Sequence, residues 1–202
     1  MDTGTTIGAG LGTDATRDSI VSAARALLVA QGPGGLTVRK IANAAGHSTM
    51  AVYSRFGGKD GLVDVLFGEG FGLLTAALES VGTTDDPLAD LDRQGAAYRR
   101  FALDHPQHYS LMFERPVPGY EPGRDALTIA NAALEVLARG LERAMAQGTV
   151  TRAEPMTTAI SMWATCHGLV SLEMAGAAPP GVDWDATYSR TCHAVLRGLG
   201  PR

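Results

Sequence analysis

The sequence has few cysteines and no long apolar run, and each shortage excludes a class of protein. Two cysteines among 202 residues cannot form a disulfide framework, so we expect a protein of the reducing cytoplasm. No apolar run reaches the roughly 18 residues that span a bilayer. The opening stretch MDTGTTIGAGLGTDATRD also lacks the basic and apolar regions of a signal peptide. We therefore expect no membrane partner.

The signatures of common catalytic sites are missing as well. The sequence contains no Gly-rich phosphate loop, no G-x-S-x-G elbow and no H-E-x-x-H run. Without a candidate nucleophile, metal triad or phosphate cradle, we predict that the protein is not an enzyme and that it needs no cofactor.

Apolar residues recur at helical spacing along most of the chain, whereas no run alternates as a strand would. In the first candidate helix, Ile20, Ala23, Ala24, Leu27 and Leu28 form one stripe. We therefore predict an all-α fold. It comprises a mobile tail (1–13), a small three-helix domain (14–60) and a larger helical domain (61–202).

Charge is distributed unevenly between these domains. Leu36 to Asp60 holds four cations and one carboxylate, whereas Gly61 to Arg202 holds eleven cations and seventeen carboxylates. The basic stretch also has the parts of a helix-turn-helix: two short helices and Gly46 in the turn, where a positive φ is needed. Its polar side chains suit phosphate oxygens and base edges.

At these residues the sequence resembles a known family. IVSAARALLVAQG and LTVRKIANAAGHSTMAVYSRFGGKDGL, in the first 62 residues, resemble the N-terminal domain of TetR-family transcriptional regulators. The resemblance implies a homodimeric repressor that leaves a palindromic double-stranded DNA operator when a small molecule binds its C-terminal domain. Residues 14–60 would then be the DNA-binding domain, and residues 61–202 the domain for ligand binding and dimerisation. The resemblance implies that Thr37, Ser48, Tyr53 and Lys59 hold the DNA backbone and that Thr49, Met50 and Arg55 lie on the exposed side of the second short helix. We add the cation Arg39 to these predicted DNA-binding residues.

The sequence departs from the family pattern at several positions of this domain. His47 stands where a buried aliphatic residue is usual, Met50 replaces a small residue and Arg55 replaces a histidine. We expect these changes to affect which bases are preferred and not whether DNA is bound.

Two C-terminal helices carry apolar seams that suit packing between helices. We predict that both contribute to a four-helix interface between two subunits, as a symmetric dimer requires. The alternative is that both seams belong to the core of one chain. The predicted interface residues are Ile160, Trp163, His167, Val170, Met174, Tyr188, Val195 and Leu199.

The same region suggests a ligand pocket. HPQHYSLMF and WATCHGLVSLE resemble a C-terminal domain found in this family, marked by a Trp-His-Gly pattern. A pocket for a mostly apolar effector needs apolar walls and few polar groups. The candidate lining residues are Phe101, His105, Tyr109, Met112, Phe113 and Trp163.

Two rival interpretations stay open at this stage. The pairs Cys166-His167 and Cys192-His193 suggest a metal- or thiol-responsive DNA-binding sensor. However, the side chains of adjacent residues on a helix point about 100° apart, so one pair cannot easily bind the same metal ion. A metal site would require both helices to converge with tetrahedral geometry. The other rival is a DNA-binding protein indifferent to sequence, which the acidic second domain disfavours.

Overall fold

A computed structural model describes residues 14–114 and 117–199, and all regular structure among them is helical. The all-α prediction is therefore confirmed for the described part of the chain. The predicted tail, 1–13, lies outside it. The α-helices are α1 (Ala15–Gln31), α2 (Val38–Ala45), α3 (Thr49–Phe56), α4 (Lys59–Glu79), α5 (Pro87–Asp104), α6 (Pro106–Phe113), α7 (Arg124–Ala146), α8 (Pro155–Met174) and α9 (Trp184–Gly198).

The helices begin and end where short-range chemistry indicates. Asp14, Thr37, Ser48, Asp86 and Asp183 each precede a helix and accept a hydrogen bond from its first turn. These caps satisfy amide groups that have no partner inside the helix.

The described chain divides into two compact units, 14–63 and 64–199, and the division falls between Val63 and Asp64 in α4. The sequence placed this boundary at residue 60, at the beginning of the same helix. In the first unit, α1 packs against α2 and α3. Its core consists of Ile20, Ala24, Leu28, Leu36, Ile41, Val52 and Leu62.

The second unit is built around α5, α7, α8 and α9, with α7 against both α5 and α8. A buried carboxylate on α5 joins two helices and a loop. Asp90 accepts hydrogen bonds from the Thr84 backbone amide and hydroxyl, each at 2.8 Å, and from Arg143 of α7 at 3.0 Å. Arg93 also pairs with it.

The helix α4 is long and apolar enough to span a membrane by length and composition alone, although Asp64 and Glu69 interrupt its apolar sequence. Half of its apolar window is buried inside the protein. Phe67, Phe71 and Leu74 lie in the core of the second unit. A core helix of a water-soluble protein meets the same criterion, so this segment is weak evidence for a membrane span.

Candidate DNA-binding site and ligand cavity

The turn between α2 and α3 has the geometry of a helix-turn-helix. Gly46 ends α2 in the left-handed conformation, with φ of 71°, which suits glycine because it has no Cβ. The amide of His47 then donates to the carbonyl of Ala42 at 2.9 Å. Two residues later α3 begins, capped by the Ser48 hydroxyl. The short turn therefore holds α3 in a fixed position after α2.

The outer face of α3 exposes large side chains that a solvent-facing helix usually lacks. Met50 is 72% exposed and Tyr53 is 53% exposed, while Val52 between them is fully buried. Thr49 and Ser48 are exposed beside them. A methionine and a phenol presented together with hydroxyls can contact base edges and phosphates. The predicted DNA-binding residues of α3 are thus exposed on the surface of the first unit.

Arg55, by contrast, is already engaged in an intramolecular contact. Its Nε lies 2.7 Å from a carboxylate oxygen of Asp14, the residue that caps α1. Both side chains are about two-fifths exposed. Arg55 must exchange this partner before it can contact DNA, which the sequence did not indicate.

His47, which stands where the family pattern has a buried aliphatic residue, makes a polar contact with α1. Its Nε2 lies 2.8 Å from the Ser19 hydroxyl, which itself donates to the Thr16 carbonyl. The contact anchors the turn to the first helix.

The remaining predicted DNA contacts lie at helix beginnings. Thr37 is exposed and caps α2 by accepting from the Lys40 amide at 3.3 Å. Arg39 is exposed in the first turn of α2, and Lys59 is half-buried at the start of α4. Helix N-termini attract phosphate because their amide groups point outward. These positions suit contacts to the DNA backbone.

The second unit contains a largely apolar cavity of about 160 Å³. Its volume resembles the roughly 150 Å³ of an engineered cavity that stays dry and binds benzene. The lining residues are Leu74 and Leu78 of α4, Leu91, Gln94, Gly95 and Tyr98 of α5, Ala130, Asn131, Ala133, Leu134 and Leu137 of α7, Met162, Trp163 and Cys166 of α8, and Leu196 of α9.

One polar group in this wall lacks a partner. Gln94 is 8% exposed, and its Oε1 makes no hydrogen bond. An unsatisfied buried acceptor costs about 1–3 kcal/mol. Gln94 follows Leu91 by three residues and precedes Tyr98 by four, so it interrupts the apolar stripe of α5. That interruption was the available sequence signal, and it was missed.

Of the predicted pocket residues, Trp163 is the one that lines this cavity. Phe101, Tyr109 and Met112 are buried in the core. His105 contacts Phe101, with ring centroids 5.3 Å apart. The ring centroid of Phe113 lies 5.8 Å from that of Trp163 and 4.8 Å from that of Tyr109. These residues form an aromatic cluster next to the cavity.

His167 is the polar centre of that cluster. Its Nδ1 lies 2.6 Å from the Tyr109 hydroxyl and 3.2 Å from the Tyr98 hydroxyl, which also accepts from the indole of Trp163. Burial lowers the pKa of His167, so the ring is held neutral. The Trp-His-Gly segment therefore joins α5, α6 and α8 within one chain.

Half of the predicted subunit-interface residues make contacts within the chain. Val170 and Tyr188 are buried inside the chain, and the Tyr188 hydroxyl donates to the Gly95 carbonyl at 2.8 Å. Trp163 and His167 belong to the aromatic cluster. Met174, Val195 and Leu199 are half-buried. Ile160, 47% exposed, is the most exposed residue of the predicted seam. Trp163, His167, Val170 and Tyr188 are thus already engaged within one chain.

The metal-sensor alternative gains no support from the geometry. Cys166 and Cys192 meet, with their Sγ atoms 3.5 Å apart, but the neighbouring histidines do not join them. His167 bonds to tyrosines, and Nδ1 of His193 lies 2.8 Å from Asp92. Within residues 14–114 and 117–199, no three potential metal ligands come together.

The fold and the exposed face of α3 define a helix-turn-helix DNA-binding protein with a separate helical domain. Comparisons with known proteins agree. Residues 20–66 match the family model of bacterial regulatory proteins of the TetR family, and residues 91–195 match a tetracyclin repressor-like C-terminal domain. The chain belongs to the TetR family of transcriptional regulators.

Relatives extend over nearly the whole chain. An uncharacterized HTH-type transcriptional regulator of Mycobacterium tuberculosis is 28% identical, over 93% of this chain and 83% of its own length. A solved protein of unknown function from Rhodococcus sp. RHA1 is 27% identical, with a TM-score of 0.80 over 97% of this chain and all of the other. The TetR family regulator PfmR from Thermus thermophilus, 20% identical, has the same fold at a TM-score of 0.65, with 90% and 99% of the two chains covered.

Proposed function

We propose that the protein is a cytoplasmic dimeric repressor that leaves its operator when a small, mostly apolar molecule occupies the cavity. The observation that carries the proposal is the cavity itself, because its apolar wall contains one buried amide oxygen without a partner. DNA-binding regulators of the TetR family usually dimerise and bind small effectors. Repression of transcription and release from DNA on ligand binding are the specific parts of this proposal.

The predicted DNA-binding residues divide into two roles. Thr37, Arg39, Ser48, Tyr53 and Lys59 are assigned to the phosphate backbone. Thr49, Met50 and, once freed from Asp14, Arg55 are assigned to base edges. Position supports this division for the residues at helix beginnings and for Thr49, Met50 and Arg55 on the exposed side of α3. Tyr53 lies on that same side of α3, and its assignment to the backbone rests on the resemblance to the family pattern.

Replacing a backbone-binding residue should weaken binding to all sequences, whereas replacing a base-reading residue should change the preferred sequence. We expect Lys59→Ala to reduce affinity uniformly and to lower the salt slope by about one unit. We expect Met50→Ala to lose about 1–3 kcal/mol of discrimination at one base step. Selection from random duplexes with each variant measures both effects.

The wild-type protein is the reference in this selection, and circular dichroism checks that each variant is folded. If Met50→Ala selected the wild-type motif with the same preferences, the assignment of Met50 to base reading would be wrong. If Lys59→Ala retained full affinity for every duplex, its assignment to the backbone would be wrong.

The cavity predicts what its ligand must look like. It has space for a molecule of about the size of benzene. The ligand should also donate one hydrogen bond to Oε1 of Gln94, since that contact restores about 1–3 kcal/mol. A compact aromatic or aliphatic molecule with one hydroxyl or amine group has both properties.

Phenol should therefore bind more tightly than toluene, which has a similar size and no donor. We expect at least a fivefold preference, corresponding to about 1 kcal/mol, and expect Gln94→Leu to abolish it. Calorimetric titration of the DNA-free protein measures these affinities directly. Equal binding of both molecules to the wild-type protein would contradict the assigned role of Gln94.

A dimer interface is proposed on the exposed side of α8. Ile160, Ala164, Gly168 and Leu172 recur every four residues, and all four are exposed. Ile160 and Leu172 are 47% and 51% exposed, and a Cβ at Gly168 would meet no atom within 4 Å. We assign this apolar stripe to contact with a second copy of the chain, because one short α3 contacts few bases and a two-fold dimer can contact both halves of a palindromic operator. Its half-sites would lie roughly 34–36 Å apart, or a multiple of that distance.

Introducing a charge into this stripe should separate the subunits. We expect Leu172→Glu to shift the protein from dimer to monomer in light scattering, because an unpaired carboxylate cannot be buried cheaply. Leu127→Glu is the matched control, since Leu127 on α7 is 47% exposed and lies outside the stripe. A Leu172→Glu protein that remained dimeric would place the interface elsewhere.

A further inference from the structure

The two cysteines of the sequence meet in the core of the second unit. Cys166 of α8 and Cys192 of α9 are 26 residues apart in the chain, yet their Sγ atoms are separated by 3.5 Å. Both are at least 95% buried. No other cysteine competes for either thiol. Neither thiol is among the residues assigned to DNA binding or to the ligand's hydrogen-bond donor.

We propose that Cys166 and Cys192 are a redox-active pair, which a hydroperoxide oxidises to a disulfide joining α8 to α9 beside the cavity. Nothing in the helix-turn-helix unit takes part in the reaction. The site senses oxidant through the cavity wall, because Cys166 is one of the lining residues.

The chemistry requires one oxidant and two thiols. The thiolate of one cysteine attacks hydrogen peroxide, the O–O bond breaks, and a sulfenic acid and water are formed. The second thiol then attacks that sulfur and displaces a second water as the S–S bond forms. Two hydrogens leave the protein, and the peroxide is reduced to two waters.

Access assigns the two roles. Cys166 lines the cavity through which the peroxide arrives, whereas Cys192 does not. The sulfur–sulfur contact also lowers the pKa of the Cys166 thiol, which favours its thiolate. Cys166 is therefore the attacking cysteine, and Cys192, whose Sγ lies 3.5 Å away, is the resolving one.

Access and movement are both compatible with this reaction. Hydrogen peroxide is not much larger than water, and the cavity of about 160 Å³ that reaches Cys166 has space for it. Closing the disulfide shortens the sulfur separation from 3.5 Å to about 2.05 Å. A helix that supplies three cavity residues must adjust, so oxidation should change ligand affinity. This consequence rests on the proposed function, whereas disulfide formation does not.

The test is peroxide treatment of the native, DNA-free protein followed by intact-mass analysis and thiol counting. We expect two free thiols per chain to disappear, a mass decrease of about 2 Da, no cross-linked dimer in non-reducing gels, and full reversal by dithiothreitol. Reagent-accessible thiols in the urea-unfolded protein provide the count before treatment. Two thiols surviving peroxide, or a gain of oxygen without a disulfide, would overturn the proposal.

Single variants separate the two cysteines. Cys192→Ser should stop at a sulfenic acid on Cys166, detectable as a dimedone adduct, whereas Cys166→Ser should react at least tenfold more slowly. Equal rates in both variants would contradict the roles assigned here. A tenfold or larger change in phenol affinity on oxidation supports coupling to the cavity. Unchanged affinity, with the disulfide formed, would refute the coupling.

Discussion

Gly61→Ala is expected to remove DNA binding while leaving residues 64–199 folded. A Cβ at position 61 would lie 2.0 Å from the backbone carbonyl oxygen of Phe56, the last residue of α3. Neither atom belongs to a flexible side chain, so α3 must move relative to the beginning of α4. Overpacking of this kind costs about 1–3 kcal/mol, and the unit that bears it is small.

Gly61→Ala should reduce the free energy of operator binding by more than it reduces the free energy of unfolding. Displacing α3 disturbs several base contacts together, each with about 1–3 kcal/mol of discrimination, so we expect at least a hundredfold weaker operator binding. Gly72→Ala is the matched control, because Gly72 lies in α4 as Gly61 does, and a Cβ at position 72 would meet no atom within 4 Å. It should gain up to about 1 kcal/mol in unfolding free energy and bind DNA normally. Normal binding by Gly61→Ala would show that the close approach to Phe56 is unimportant.

Asp90→Ala is expected to cause the largest loss of stability, about 3–5 kcal/mol. Asp90 is 1% exposed, and its removal leaves Arg143, Arg93 and the amide of Thr84 without their shared acceptor. Chemical unfolding of the ligand-free protein measures the change. Asp104→Ala on the same helix is the control, because the Arg100–Asp104 pair is exposed and contributes about 0–1 kcal/mol. Similar losses in both variants would contradict this account.

The contribution of Asp90 should also depend on pH. Burial acts to raise the pKa of Asp90, but the hydrogen bonds from Thr84 and Arg143 and the charge of Arg93 outweigh it, so the pKa is lowered. A carboxyl group with a lowered pKa stabilises the fold fully above its unfolded value of about 3.9 and loses this contribution as pH falls through the folded value. The difference between wild type and Asp90→Ala should therefore shrink only below about pH 4.

The DNA-binding unit could be predicted from the sequence because its signals are local. Caps at Thr37 and Ser48 and a left-handed Gly46 are fixed by neighbours within a few residues. The engagement of Arg55 with Asp14 is a tertiary contact across 41 residues, which no local pattern encodes. The fold of the unit was thus more predictable than the state of its side chains.

The second unit was harder to predict because its helices are apolar on more than one side. The stripe containing Trp163, His167 and Val170 and the stripe containing Ile160, Ala164 and Leu172 lie on one helix, and spacing alone does not say which faces inward. Aromatic residues suggested a pocket, but their rings pack against one another, and smaller Leu and Ala side chains enclose the cavity. The contact of Cys166 with Cys192 likewise depends on how α8 meets α9.

The central claim is that this protein binds one operator specifically and leaves it when the cavity is filled. The most direct measurement is a titration of the protein with labelled duplex from its own upstream region, beside a scrambled duplex, at several salt concentrations. We predict tight binding to the native duplex only, with a log–log salt slope of about −0.9 per phosphate contacted, and release on adding phenol. Equal weak binding to both duplexes, unchanged by phenol, would contradict the account.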